Sequence, residues 1–281
     1  MASGENDQAR FTVVLPTYNE VENISKMVEE LFHLYPGVAV SVVDDGSKDG
    51  TVEAVLALQK EHDRLTLLRR DPSNKGLTAS LMEGISSVKT DFYIVMDADF
   101  QHPPASVADL MSKVSGGADL VVGVRVNKGP LTITRRIASS GAHKLAASYL
   151  WLRRKQRSRD LMSGFFGGRT VVARSVISEQ GNKFERKGFK VLFDLLKNAP
   201  RDIRIEEAQF VFGVRAGGES KLNSDIILSV MKQCGLAGKM LGTSIQLLVI
   251  SKAARVIGLL ILVAIFAIAI VIGTTPHQPA P

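Results

Sequence analysis

The chain has one cysteine, Cys234, among 281 residues. No intrachain disulfide can form, which suits a reducing compartment. The five histidines are scattered. Neither a Gly-x-Ser-x-Gly elbow nor a P-loop lysine motif occurs, so the familiar nucleophile and phosphate-cradle signatures are missing. Despite a net charge of +7, there is no basic stripe interleaved with aromatics and no recognisable nucleic-acid module, so nucleic acid is not an expected partner. Met1 to Arg10 is polar and lacks the apolar region of a signal peptide. Internal repeats are absent, and low-complexity sequence is confined to the last few residues.

One long apolar run is present. Val256 to Ile272 holds 17 residues without a charge or strong polar group, and Gly273-Thr274-Thr275 prolong it. That length lies at the lower limit for a membrane-spanning helix. A helix apolar on every side does not face water; the alternative is burial in a core or a hairpin. Lys252 and Arg255 precede the run, and the tail Pro276 to Pro281 carries no Lys or Arg. The positive-inside rule then predicts a single-pass protein whose N-terminal bulk faces the cytoplasm. A second basic feature, Arg153-Arg154-Lys155-Gln156-Arg157-Ser158-Arg159, fits either a solvated loop or contact with anionic lipid heads or phosphates.

Upstream, short apolar runs alternate with amphipathic segments. Strands are predicted at Phe11 to Leu15, Val38 to Val43, Leu65 to Leu68 and Phe92 to Met96. Helices are predicted at Val21 to Tyr35, capped by Asn19, at Thr51 to His62 and at Leu77 to Val88. This alternation predicts parallel βαβ units with helices on both faces of one sheet. Further on, the pattern predicts a long helix over Thr132 to Leu152, a glycine-rich turn from Ser163 to Gly168, a helix over Lys187 to Asn198 and a strand over Ile203 to Phe212. Asp225 to Ile250 reads as a glycine-broken helix that either lies on a bilayer or packs on the core.

Ligands of such sheets sit at the carboxyl ends of the strands, and the polar clusters fall there. They are Pro16-Thr17-Tyr18-Asn19-Glu20, Asp44 to Thr51, Asn74-Lys75-Gly76, and Asp97-Ala98-Asp99-Phe100-Gln101. Asp97 and Asp99, one residue apart after an apolar strand, can hold a hard divalent cation, and Gln101 adds a neutral oxygen. Alone, Asp-x-Asp also fits a solvated loop. Asp44-Asp45-Gly46 makes an acidic turn whose carboxylates can cap the helix starting at Thr51 or accept from a base N–H or a ribose hydroxyl. Arg135 and Ser139, four apart near a helix start, form a plausible grip on a phosphate monoester. Arg215 and Lys221 flank Gly217-Gly218 in a basic loop able to close over a diphosphate.

In order from Phe11 to Leu222, these blocks resemble the inverting GT-A glycosyltransferases of family 2, and within them the polyprenyl-phosphate mannosyltransferases. The matching segments are Leu15 to Glu20, Val43 to Thr51, Met96 to Pro104, Gly123-Val124-Arg125, Arg135 with Ser139, Met162 to Phe166, and Arg215 to Leu222. Leu161 stands where relatives often carry proline, and the Arg125-to-Arg135 connection is short. The resemblance implies an α/β, Rossmann-like GT-A domain with a mostly parallel sheet over residues 11–224. An interfacial helical region (225–255), one transmembrane helix (256–275) and short tails (1–10, 276–281) complete the chain. It implies GDP-mannose as donor, dolichyl or polyprenyl phosphate as acceptor, Mg2+ or Mn2+ as metal, and a bilayer as partner. UDP-glucose as donor is the alternative. Pro16, Tyr18, Glu20, Asp44 and Asp45 would bind the nucleoside. Asp97, Ala98, Asp99 and Gln101 would face the metal and diphosphate, with Asp97, Asp99 and Gln101 as ligands. Arg125, Arg135 and Ser139 would receive the lipid phosphate, and Arg215 and Lys221 would cover the diphosphate.

Overall fold

The computed structural model describes residues 6–126, 143–144, 146–186 and 191–213. A seven-stranded sheet runs in the order β3-β2-β1-β4-β6-β5-β7. The strands are β1 (Phe11–Thr17), β2 (Ala39–Asp44), β3 (Leu65–Arg69), β4 (Phe92–Val95), β5 (Leu120–Arg125), β6 (Phe166–Arg169) and β7 (Ile205–Phe210). Six run the same way, and β6 is antiparallel to both of its neighbours. The helices are α1 (Val21–Leu34), α2 (Thr51–Leu58), α3 (Leu77–Ser87), α4 (Val107–Ser115), α5 (described over 146–152), α6 (Thr170–Gln180) and α7 (Val191–Asn198).

Both faces of the sheet are covered, so its central strands are apolar without alternation. In β1, Phe11, Val13 and Leu15 pack with α1 and α4 through Ile24, Met27, Leu31, Val107 and Leu110. Val14 points the other way, into a cluster with Leu81, Ile85, Val122, Phe166 and Phe193. Each fully buried side chain of this kind contributes roughly 1.5–3 kcal/mol by leaving water.

The predicted βαβ frame is present, with ends moved by a few residues. Three corrections follow. Asn19 does not cap α1: its carboxamide oxygen accepts from Lys48 N–H at 3.0 Å, and Asp49 Oδ2 accepts from Val21 N–H at 3.0 Å. The N-cap of α2 is Gly50, and Asp49 Oδ1 accepts from the first helical N–H, that of Thr51; Asp44 and Asp45 do not cap it. The Ser163-to-Gly168 segment is not only a turn, because Phe166–Arg169 is an interior strand. Glycine is required there by close approach: a Cβ on Gly167 would stand 2.5 Å from Tyr93 O. The pattern also left α4, β5 and α6 unassigned. Among the described residues no helix is long and apolar enough to cross a membrane. Val256 to Ile272, the predicted interfacial helix, Arg135, Ser139, Arg215 and Lys221 lie outside the described residues.

Candidate active site

The strand order places a topological switch point between β1 and β4, where connections leave in opposite directions and a crevice opens at the carboxyl ends. Pro16 widens it. Met96 N–H donates to Val14 O, so even-numbered residues of β1 face β4. The last paired residues are Val14 and Val95. Pro16 therefore lies past the end of β4, where its missing N–H disturbs no ladder.

A cavity of about 570 Å³ fills this crevice. All four strand-end clusters reach it: Pro16 and Thr17 at the end of β1 with Tyr18 and Glu20 beyond it, Asp45 after β2, Lys75 and Gly76 after β3, and Asp97, Ala98, Asp99 and Gln101 after β4. The lining is continued by Arg125, Met162, Ser163, Gly164 and Phe212. The neighbouring aspartates of the acidic turn separate here. Asp44, 2% exposed, does not line the cavity. It accepts from Gly46 N–H, Ser47 N–H and the Thr17 hydroxyl, and so builds the turn. Asp45 lines the cavity, accepts from Gly76 N–H at 2.9 Å and pairs with Arg70.

Arg70 is buried and holds three elements together. Its guanidinium meets Asp45, both carboxylate oxygens of Glu83 in α3 (at 3.0 and 2.9 Å) and Asn74 O. Burial lowers its proton affinity, but the hydrogen bonds and charges of Glu83 and Asp45 outweigh that and raise its pKa. On the rim, the Lys75 ammonium lies 4.4 Å from the Tyr18 ring centroid.

Asp99 is 4% exposed, and its Oδ1 accepts from Gln101 N–H at 3.0 Å. Phe100 between them has φ 63°, left-handed backbone that a bulky residue adopts at a cost. Such strain is stored where geometry matters for function. The buried ring of His102, stacked on Phe165, takes Asp97 N–H on Nδ1 at 3.1 Å. That nitrogen is an acceptor, which assigns the ring proton to Nε2. Its 3.6 Å approach to the Asp97 carboxylate is then a polar contact, not an ion pair. Gly164 presses on the same carboxylate, since a Cβ there would lie 3.3 Å from Asp97 Oδ2.

The donor set suits a divalent cation of the magnesium type. Among the described residues no three His, Cys, Asp or Glu side chains form a self-sufficient metal cage. Asp97, Asp99 and Gln101 instead offer two carboxylates and an amide oxygen on one cavity wall. Such an incomplete set fits a metal that takes its other ligands from water and a substrate phosphate. Arg125 also lines the cavity; its Nε donates to Asp160 Oδ2 at 3.0 Å, and its guanidinium lies 5.3 Å from the Phe212 ring. His102 and Gly164 on the wall, and Asp160 behind Arg125, were given no role by the motif reading, and Lys75 stood there only as part of a strand-end cluster. Only His102 carried a local signal, its place directly after the Asp-x-Asp block.

The comparisons agree with this geometry. The sequence profile described as Glycosyl transferase family 2 matches residues 12–179. The chain belongs to that family. The dolichol-phosphate mannosyltransferase of Mycosarcoma maydis is 33% identical over 236 residues, 79% of this chain and 76% of that one. The protein of the same name from Saccharomyces cerevisiae is 32% identical over 237 residues, covering 79% and 85%. Among solved structures, glucosyl-3-phosphoglycerate synthase from Mycobacterium tuberculosis, in complex with Mn2+, uridine diphosphate and phosphoglyceric acid, superposes with a TM-score of 0.60 at 22% identity, covering 84% and 82%. That likeness supports a GT-A-like α/β domain. The protein is therefore a glycosyltransferase, and the crevice at the β1/β4 switch point is its candidate active site.

Proposed function

We propose that this glycosyltransferase moves mannose from GDP-mannose to dolichyl or another polyprenyl phosphate. One inverting displacement would give the lipid-linked β-D-mannosyl phosphate and GDP. The observation that carries the reading is that one cavity is lined both by the carboxylate residues Asp97 and Asp99 and by Arg125. The names of the curated relatives support mannose transfer and dolichol phosphate.

An acceptor phosphate monoester has a second pKa near ~6, so it is largely ionised at neutral pH and needs no general base. Arg125, held by Asp160, would orient it; Arg135 and Ser139 are proposed to complete that grip. A phosphate oxygen then bonds to the anomeric carbon while the bond from that carbon to the diphosphate oxygen breaks, and GDP leaves. Asp97, Asp99 and Gln101 would hold Mg2+ or Mn2+, which supplies Lewis-acid stabilisation of the leaving diphosphate. Pro16, Tyr18, Glu20 and Asp45 would seat the nucleoside, and Arg215 with Lys221 would cover the diphosphate. The same reading puts residues 256–275 across a membrane with the catalytic domain on its cytoplasmic face. That membrane is the endoplasmic reticulum in a eukaryote and the plasma membrane in a prokaryote.

The test offers polyprenyl phosphate and manganese to the purified, detergent-solubilised chain, with GDP-mannose and UDP-glucose in separate reactions. Glycolipid from GDP-mannose alone is the expected result. Product from UDP-glucose alone would move the donor assignment, and product from neither would overturn the lipid-phosphate reading.

A further inference from the structure

We propose that the end of α5 and the loop after it dock on an anionic lipid bilayer. Trp151 and Leu152 would enter the interface, with Arg154 and Arg157 on the headgroup phosphates. The proposal is independent of the sugar and acceptor assigned above.

Trp151 is 63% exposed and Leu152 is 73% exposed, side by side at the end of a helix that is otherwise anchored. Ala146 and Leu150 are fully buried, and Tyr149 stands edge-on to Phe193. The helix is thus held firmly on its inner side while its last apolar residues face outward. A large indole in water has no folding purpose, whereas its amphipathic ring suits the boundary between headgroups and acyl chains.

The helix stop adds charge at the same point. Lys155 N–H donates to Leu150 O and Arg154 N–H to Trp151 O, both at 2.9 Å, with Arg154 at φ 53°. This is a Schellman stop, whose left-handed position favours glycine. The chain carries an arginine there instead, beside the exposed indole.

The cations nearby divide into two groups. Arg153 lies over Tyr149, the Lys155 ammonium donates to Ala199 O, and Arg159 pairs with Glu207. Arg154 and Arg157 are exposed and have no acidic partner among the described residues. Burial and the nearby charges of Arg201 and Arg153 lower the Lys155 pKa, which marks the local excess of positive charge. A patch with two exposed apolar side chains and uncompensated guanidinium groups complements an anionic bilayer surface. The same loop ends at Asp160, the partner of Arg125 in the cavity wall, so docking would bring that wall towards the lipid.

Trp151 is the only tryptophan of the chain, so its emission reports this site alone. The full chain would be reconstituted in vesicles of phosphatidylcholine, with and without phosphatidylserine. Emission would be read against aqueous acrylamide and against lipids brominated on their acyl chains. With phosphatidylserine, emission should shift to the blue, be lost to brominated lipid and resist acrylamide. The double variant Arg154→Glu with Arg157→Glu, both on exposed side chains, should restore acrylamide access while the protein stays with the vesicles. A tryptophan open to acrylamide and untouched by brominated lipid in both vesicle types would overturn the docking, as would burial by a partner protein added without lipid. Equal quenching in the two vesicle types, or in the double variant, would overturn the anionic assignment.

Discussion

The two walls of the cavity are built in different ways. The wall of Pro16 to Glu20, Asp45, Lys75 and Asp97 to Gln101 comes from four loops at the ends of consecutive parallel strands. Each loop needs only its own strand and the parallel sheet to arrive there. The wall of Arg125, Met162, Ser163, Gly164 and Phe212 comes from β5, from the approach to the antiparallel strand β6 and from the chain after β7. Its members meet only because β6 inserts between β4 and β5. One wall follows from a repeated local rule, and the other depends on a single long-range insertion.

The largest expected effect tests the first wall. Asp99→Asn keeps an oxygen for Gln101 N–H but loses the charge. Transfer should fall about a thousandfold, the scale of losing one electrostatic contact to a transition state, while circular dichroism and Tm stay near wild type. Wild-type turnover in this variant would sink the metal assignment.

Breaking the clamp behind that wall should act on stability first. Arg70→Met leaves the partly buried Asp45 and Glu83 carboxylates without that cation and should cost about 3 kcal/mol in urea unfolding, as when one partner of a buried pair is removed. The KM for the nucleotide sugar should rise with it. A full loss of stability with donor KM unchanged would separate Asp45 from the donor.

A smaller effect distinguishes the second wall. Asp160→Asn removes the charge that orients Arg125 and should raise the acceptor KM about tenfold, equivalent to ~1.4 kcal/mol. The donor KM should not move. Equal changes in both constants would show that the two walls are not separate functions.

The smallest effect concerns Asp49, whose carboxylate accepts from the first N–H of both α1 and α2. Burial pushes this carboxyl up, but the Thr51 hydroxyl and the Val21 and Thr51 amides outweigh it and hold its pKa below the ordinary value. Its stabilisation is therefore complete above the ordinary carboxylate range, near ~4, and is lost as pH falls through the depressed folded value. Asp49→Asn should lower Tm at neutral pH by a few degrees and flatten the acid limb of the Tm–pH curve. An unchanged acid limb would place the acid sensitivity elsewhere, with Glu207 next to test. Burial raises that group too, and bonds from Arg159 and Ser158 outweigh it.

The contrast explains how much could be read from the chain alone. Strands β1, β2 and β4 announce themselves as apolar runs, because parallel strands buried on both faces are largely apolar throughout. The Asp97 and Asp99 block is legible because it is contiguous and directly follows such a strand. Strand β6 is not legible. Gly167 and Gly168 look like a turn until neighbouring backbones press against them. Asp44 and Asp45 are chemically identical in sequence, and only the direction of the turn decides which one meets the cavity.

Local order along the chain settled the apolar alternation, the polar strand ends and the charged blocks, since these depend on near neighbours and on the need to bury apolar surface. Tertiary structure alone decided that Asp160 meets Arg125 and that Arg70 binds the end of β2 to α3. Each of those contacts joins groups whose spacing in the chain carries no periodic signal, and each exists only after the sheet has brought its strands into register.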